Sequence, residues 1–136
     1  FACSKAKFRL PEVTLGIVPG FNGTQRLPKC IGMNKAKEIL FTGKMLTAAD
    51  ALELGILNHV TEPEQLMNEV YAMAGQIADN SASAISLVKA AVNAGSDMDI
   101  DIGKNIELGY MAACFGTPDQ IEGFASFKEK RAAKFR

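Results

Sequence analysis

The chain has 136 residues, 48% of them hydrophobic and 22% charged, and its fifteen basic and fifteen acidic side chains cancel. That length suffices for one domain with its own core, and the composition is that of a globular protein. It excludes a basic surplus aimed at nucleic acid or an anionic membrane and any apolar run near the roughly 20 residues of a membrane span; no signal peptide is visible in it, and none is expected.

Phe1-Ala2-Cys3 reads as the tail of a buried strand. Lys5, Lys7 and Arg9 then alternate with Ala6, Phe8 and Leu10, the period of a strand with one wet face. That basic row either meets a phosphate or simply faces water. Pro11 cannot donate to a ladder and ends the strand. Cys3, Cys30 and Cys114 are odd in number and widely spaced, so they read as neither a disulfide framework nor a metal motif. They are taken as reduced, mostly structural thiols of a cytoplasmic protein.

The run from Pro11 to Leu27 holds one carboxylate, Glu12, among apolar and glycine residues. Burial favours the neutral form of a carboxyl, and a neutral acid near pH 7 can both give and take a proton. The alternative is a solvated glutamate at a strand end. Leu15 to Val18 is a short apolar segment closed by Pro19-Gly20. Gly20 and Gly23 permit tight backbone geometry or close approach to a ligand. Asn22 or Thr24 is placed to cap the helix that follows, whose first N–H groups either hold an oxygen or merely begin a helix.

Helix signals run to about Cys30 and break at Gly32. Asn34 is placed to cap a second helix through Leu40, with Ala36, Ile39 and Leu40 as its apolar face and Thr42-Gly43 as its end. Thr47 caps a third, Ala48 to Leu54, with Gly55 just beyond, and Ile56 to Val60 reads as a strand. His59, the single histidine, has no acidic or nucleophilic partner nearby in sequence and is read as structural or solvent-facing.

From Glu62 the composition turns helical. Pro63 fits the first turn of a helix to about Ala78, with Leu66, Val70, Met73, Ala74 and Ile77 at helical spacing. After a break at Asn80-Ser81, a helix carrying Ile85, Val88, Ala91 and Val92 closes at Gly95. Asp97 to Gly103 imitates a calcium loop, but its glycine falls one place late and Leu108 stands where a bidentate glutamate belongs. No metal site is expected; the aspartates read as caps of a helix to about Phe115 striped by Ile106, Tyr110, Ala113 and Cys114. Thr117-Pro118 starts the last helix, with Ile121, Phe124 and Phe127 or Lys128 along one side. Its tail sets Lys128, Lys130, Arg131, Lys134 and Arg136 against Glu129 alone.

Pro11-Glu12, Gly16, Pro19-Gly20 and Gly23-Thr24-Gln25-Arg26-Leu27 together resemble the second signature segment of the crotonase family, the enoyl-CoA hydratases and isomerases. The likeness continues through Thr42-Gly43, Ala48, Ala51 and Gly55-Ile56, and returns in Glu122-Gly123 and Phe127-Lys128-Glu129-Lys130-Arg131. It covers nearly the whole chain. Phe21 and Asn22 stand where Ala-Gly is usual, a difference that bears on the shape of the acyl pocket more than on the chemistry. The resemblance implies the crotonase-like α/β fold, a spiral core followed by helices, with helices dominating this stretch. Residues 1–61 would be the C-terminal end of the core, carrying the active-site segment. Residues 62–136 would be the helical part that covers the coenzyme and builds trimers. The family's chains are longer, so this sequence is expected to be the C-terminal half of one.

The implied activity is hydration of an enoyl-CoA. In it Glu12 would exchange the proton at the α-carbon, and Pro11, Pro19, Gly20 and Phe21 would line the substrate. Phe127 and Lys130 would hold the adenine and phosphates of coenzyme A, which suits a ring for stacking and a point charge for phosphate. Coenzyme A belongs to the substrate, so no separate cofactor and no metal is expected. The implied assembly is a homotrimer or a dimer of trimers, with no nucleic acid and no membrane. A second glutamate and the two N–H groups that stabilise the thioester enolate would lie in the other half, leaving these residues alone nearly inactive. An enoyl-CoA isomerase needs only one carboxylate, and a helical oligomerisation or binding fragment needs none; both stand as alternatives.

Overall fold

The computed structural model describes residues 1–135. They fall into two compact units, the first Phe1–Ala72 and the second from Met73 onward.

In the first unit, short strands β1 (Ala2–Cys3), β2 (Lys7–Phe8), β3 (Leu46–Thr47) and β4 (Val60–Thr61) form two ladders. β2 runs antiparallel to β3, with Lys7 opposite Thr47 and Phe8 opposite Leu46. β1 runs parallel to β4, with Ala2 opposite Val60 and Cys3 opposite Thr61. The alternating stretch 5–10 is therefore paired only at Lys7–Phe8, because the Ala6 N–H turns back to the Cys3 carbonyl at 3.0 Å. The strand expected over Ile56 to Val60 also shrinks. The N–H groups of Ile56 and Leu57 donate to the Ala51 carbonyl at 2.9 and 3.1 Å, so those residues finish a helix end instead of entering a ladder.

Helices α1 (Gly23–Ile31), α2 (Met33–Thr42), α3 (Ala48–Glu53) and α4 (Leu66–Ala78) follow the expected order. Gly32, at φ 81°, ends α1 and starts α2, which leaves Asn34 inside α2 and not at its cap. Glycine takes that backbone conformation without the Cβ penalty asparagine would meet. Ala36, Ile39 and Leu40 are buried on α2, as the spacing predicts, and Leu46, Ala48 and Ala51 complete the core with Ala2. Thr47 forms a reciprocal cap on α3: its hydroxyl accepts from the Asp50 N–H, and Asp50 accepts from the Thr47 N–H at 2.8 Å. Pro63 lies in a turn closed by the Gln65 N–H on the Glu62 carbonyl, and α4 begins only at Leu66.

The second unit holds α5 (Ala82–Gly95), α6 (Ile100–Cys114) and α7 (Pro118–Glu129). The stripe expected on α5 is used only at Ala91. Val88 and Val92 are exposed, while Ala84, Leu87, Ala90 and Ala91 are half-buried. α5 is apolar around most of its circumference, so periodicity alone does not select a face. Asp99 caps α6 by accepting from the Asp101 N–H at 2.9 Å. Thr117 caps α7, with Pro118 in its first turn. Ser81 caps α5 and, with Ser83, donates to Asp119 Oδ2 at 2.6 and 2.9 Å, which ties the starts of α5 and α7 together.

Candidate active site

Glu12 opens a single 3-10 turn, Glu12–Leu15. The turn is closed locally. The Thr14 hydroxyl and N–H both reach the Pro11 carbonyl, at 2.7 and 2.8 Å, and the Ile17 N–H donates to the Glu12 carbonyl at 3.1 Å. Gly16, at φ 73°, ends it in the left-handed region. Glu12 Oε2 is buried and has no hydrogen-bond partner. A buried polar atom is normally paired, and an unpaired one in a native fold is a candidate for chemistry.

Two glycines hold this turn from outside. Gly43, the left-handed cap of α2 at φ 57°, is buried; a Cβ there would stand 3.3 Å from Thr14 Cγ2 and 3.5 Å from the Leu10 carbonyl and Val13 Cγ2. Arg9 fastens the same point, its Nε donating to the Gly43 carbonyl at 2.7 Å. Arg9 thus serves the backbone beside Glu12. Gly23 admits Pro19, since a Cβ on it would meet Pro19 Cβ at 2.8 Å. The tight packing around the backbone is at Gly23; a Cβ built on Gly20 would meet only the Val18 carbonyl oxygen, at 4.0 Å. Asn22 sits at the N-cap of α1 as placed, at φ 64°, but its side chain makes no capping bond.

Of the expected substrate-lining residues, Pro11 is half-buried and Pro19 buried, while Gly20 is exposed and Phe21 is 99% exposed. Leu15, Ile17 and Val18 are exposed beside them. His59 is exposed and stacks on Phe1, ring centroids 4.5 Å apart, away from any acid–base pairing. Cys3, Cys30 and Cys114 are free thiols. Among the described residues, no three His, Cys, Asp or Glu side chains are grouped as metal ligands.

In the second unit, Phe127 is 86% exposed near the end of α7 and Lys130 caps that helix at φ 53°. Phe127 lines an apolar groove of about 430 Å³ with Ala84, Cys114, Gly123, Phe124 and Phe135. Glu122 accepts from Arg131 Nη1 and Nη2 at 2.6 and 2.9 Å and from the Lys134 N–H at 2.7 Å. The Arg131 guanidinium, then the Lys134 N–H, hold the Glu122 carboxyl well below its ordinary 4.5, at about 2. Glu122 in turn pushes the Arg131 value up.

The family model for enoyl-CoA hydratase/isomerase matches residues 1–136. The chain belongs to that family. Solved enoyl-CoA hydratases share the crotonase fold with it. One from Bacillus anthracis superposes with a TM-score of 0.95 at 36% identity, covering 98% of this chain and 52% of that one. One from Geobacillus kaustophilus gives 0.94 at 42% identity, with the same coverages. A crotonyl-CoA hydratase of Syntrophomonas wolfei is 47% identical over 134 residues, 98% of this chain and 52% of the relative. A short-chain-enoyl-CoA hydratase of Clostridioides difficile is 47% identical over 127 residues, 93% of this chain and 82% of the relative. The chain spans about half the length of the Syntrophomonas relative and of both solved hydratases.

Within this hydratase/isomerase family member, sequence reasoning picked out Glu12 and missed what holds it. Arg9 and Gly43 act on the Glu12 turn across sequence separation, and the separate pairing of Glu122 with Arg131 spans the end of α7, so no local motif announces any of them. The available signal was indirect: Glu122 and Arg131 both lie in the family-like tail, with opposite charges flanking a helix end.

Proposed function

We propose that the complete protein is an enoyl-CoA hydratase in which Glu12 delivers a proton to, or removes it from, the α-carbon of the acyl group. The observation that carries this reading is Glu12 Oε2, buried and without a hydrogen bond at the head of a turn that surrounding residues hold in place. In hydration, the water oxygen bonds to the β-carbon as the water gives up one proton to the second carboxylate expected on the family pattern, the double-bond electrons pass into the thioester as an enolate, and the α-carbon takes its proton from the Glu12 carboxyl. Dehydration runs the same steps backwards, with the Glu12 carboxylate as base. On the family pattern, a second glutamate positions the water, and two backbone N–H groups hold the enolate oxygen. Those partners are expected outside these 136 residues, which alone should turn over little or no enoyl-CoA.

Coenzyme A enters as part of the substrate, so the reaction needs no cofactor of its own. Phe127 and Lys130 would hold its adenine and phosphate, a role supported by an exposed ring and an exposed cation near one helix end. Pro11, Pro19, Gly20 and Phe21 would line the acyl end. The names of the Syntrophomonas and Clostridioides relatives favour a short acyl chain. Free thiols suit a reducing cytoplasm, and among the described residues no helix is long and apolar enough to cross a membrane. The rest of the complete protein and neighbouring copies in a homotrimer or dimer of trimers would cover the exposed apolar rows.

Substituting Glu12→Gln in the complete protein tests the reading. The amide keeps size and shape but has no exchangeable carboxyl proton. Hydration of a short enoyl-CoA should fall by about 10²–10⁴ in kcat with KM little changed. A variant within about tenfold of the parent would leave Glu12 a structural residue. The same assay separates the isomerase alternative, whose product carries a moved double bond and no added hydroxyl.

A further inference from the structure

The chain after α7 is folded back by one carboxylate. Glu122, in the second turn of α7, bonds to Arg131 and to the Lys134 N–H, nine and twelve residues further on. Had α7 simply continued, residue 131 would lie about 13 Å along the axis from Glu122. The chain instead reverses at Lys130, at φ 53° and ψ 41°, a left-handed conformation that glycine takes freely and lysine does not. The reversal is held from several sides. The Lys130 N–H reaches the Phe127 carbonyl at 3.3 Å, and the Arg131 N–H reaches the Ser126 carbonyl at 3.1 Å. Arg131 Nε donates to Glu129 at 2.6 Å, and Phe135 returns to within 3.7 Å of where a Cβ on Gly123 would stand. Strained residues persist where their surroundings over-determine them, and such places are often functional. Among the described residues, Arg131 is committed to two carboxylates, while the Lys130 ammonium makes no hydrogen bond or ion pair.

We propose that Glu122, acting through Arg131 and the Lys134 amide, is a positioning residue that fixes the direction in which Lys130 and Phe127 meet the coenzyme A handle of the substrate. This rests on the reading that those two side chains hold the handle. Glu122 touches no substrate itself. It pins the strained turn that aims Lys130 and takes up the neighbouring arginine, which leaves the lysine free to meet phosphate.

A double-substitution cycle in the complete protein separates this from a purely structural role. Lys130→Ala should raise KM for an enoyl-CoA roughly five- to tenfold, the size of one net hydrogen bond at an exposed site, and leave kcat within about twofold. Glu122→Gln should raise KM roughly three- to fivefold by misdirecting the lysine. In the Lys130→Ala background, Glu122→Gln should add almost nothing, because there is no lysine left to aim. Arg131→Lys keeps the charge, loses the two-pronged contact, and repeats the cycle where Glu122→Gln folds poorly. KM effects that multiply independently, or a fall in kcat at constant KM, would overturn the positioning role while Lys130 remained a coenzyme contact. No KM change in Lys130→Ala would remove the coenzyme reading and the positioning role with it. Failure of both the Glu122 and Arg131 variants to fold would assign the pair to stability and overturn the proposal.

Discussion

Leaving a buried carboxylate oxygen without a hydrogen bond costs about 1–3 kcal/mol, and Glu12 carries one. From spacing alone, Glu12 reads equally as a wet side chain at a strand end; only the family-like run from Pro11 to Leu27 raised it above that. What spacing does not reveal is how its turn is fastened. Gly43 sits 31 residues away, and its contact with Thr14 depends on where α2 ends in space. Gly43→Ala should therefore cost about 1–2 kcal/mol from the left-handed backbone alone. It should also push on Thr14, which stands 3.3 Å from the new Cβ. Thermal unfolding should show a lowered Tm, and kcat should fall together with stability. An unchanged Tm and kcat would mean that α2 does not brace the Glu12 turn.

At the scale of elements, helix ends were legible, and the strands at Ala2–Cys3 and Lys7–Phe8 were legible in place but not in length or partner. Gly32, Gly43, Thr47 and Thr117-Pro118 mark boundaries through their own backbone and capping chemistry, which needs no distant partner. Ala2 and Phe8 are strand residues only because Val60 and Leu46 lie opposite them, a fact no window of sequence contains. The same limit hid the working face of α5. Thr47→Ala, which removes one side of the α3 cap, should lower stability by about 1 kcal/mol, read as a drop in Tm with α2 unaffected. The fold-back of α7 has a pH signature. Folding lowers the Glu122 value from 4.5 to about 2, so its contribution is fully present above 4.5 and disappears as pH falls through about 2. Hydrogen exchange at the Lys134 amide should stay protected at pH 4 and open towards pH 2; opening already near pH 4.5 would contradict the pairing with Arg131.

Across the whole molecule, the chain exposes 10000 Å². A compact monomer of 14.6 kDa exposes about 6,900 Å², and even two separate compact pieces of half that mass about 8,300 Å². The surplus is rich in apolar side chains, among them Leu15, Val18, Phe21, Phe41 and Phe127. Such surface marks interfaces, here with the substrate at Phe21 and Phe127, with the rest of the complete protein, and between copies. The complete protein should sediment as a trimer or dimer of trimers at micromolar concentration, and a clean monomer would contradict that assembly. The central claim, that Glu12 carries the α-proton, is tested most directly by isotope exchange. The complete protein and its Glu12→Gln variant are incubated with an acyl-CoA in deuterium oxide, and deuterium at the α-carbon is followed by NMR. The parent should exchange the α-hydrogen in step with turnover, and the variant should be slower by about 10²–10⁴ with acyl-CoA affinity nearly the same. Exchange in the variant within about tenfold of the parent would contradict the account, because the proton would then be carried by another group.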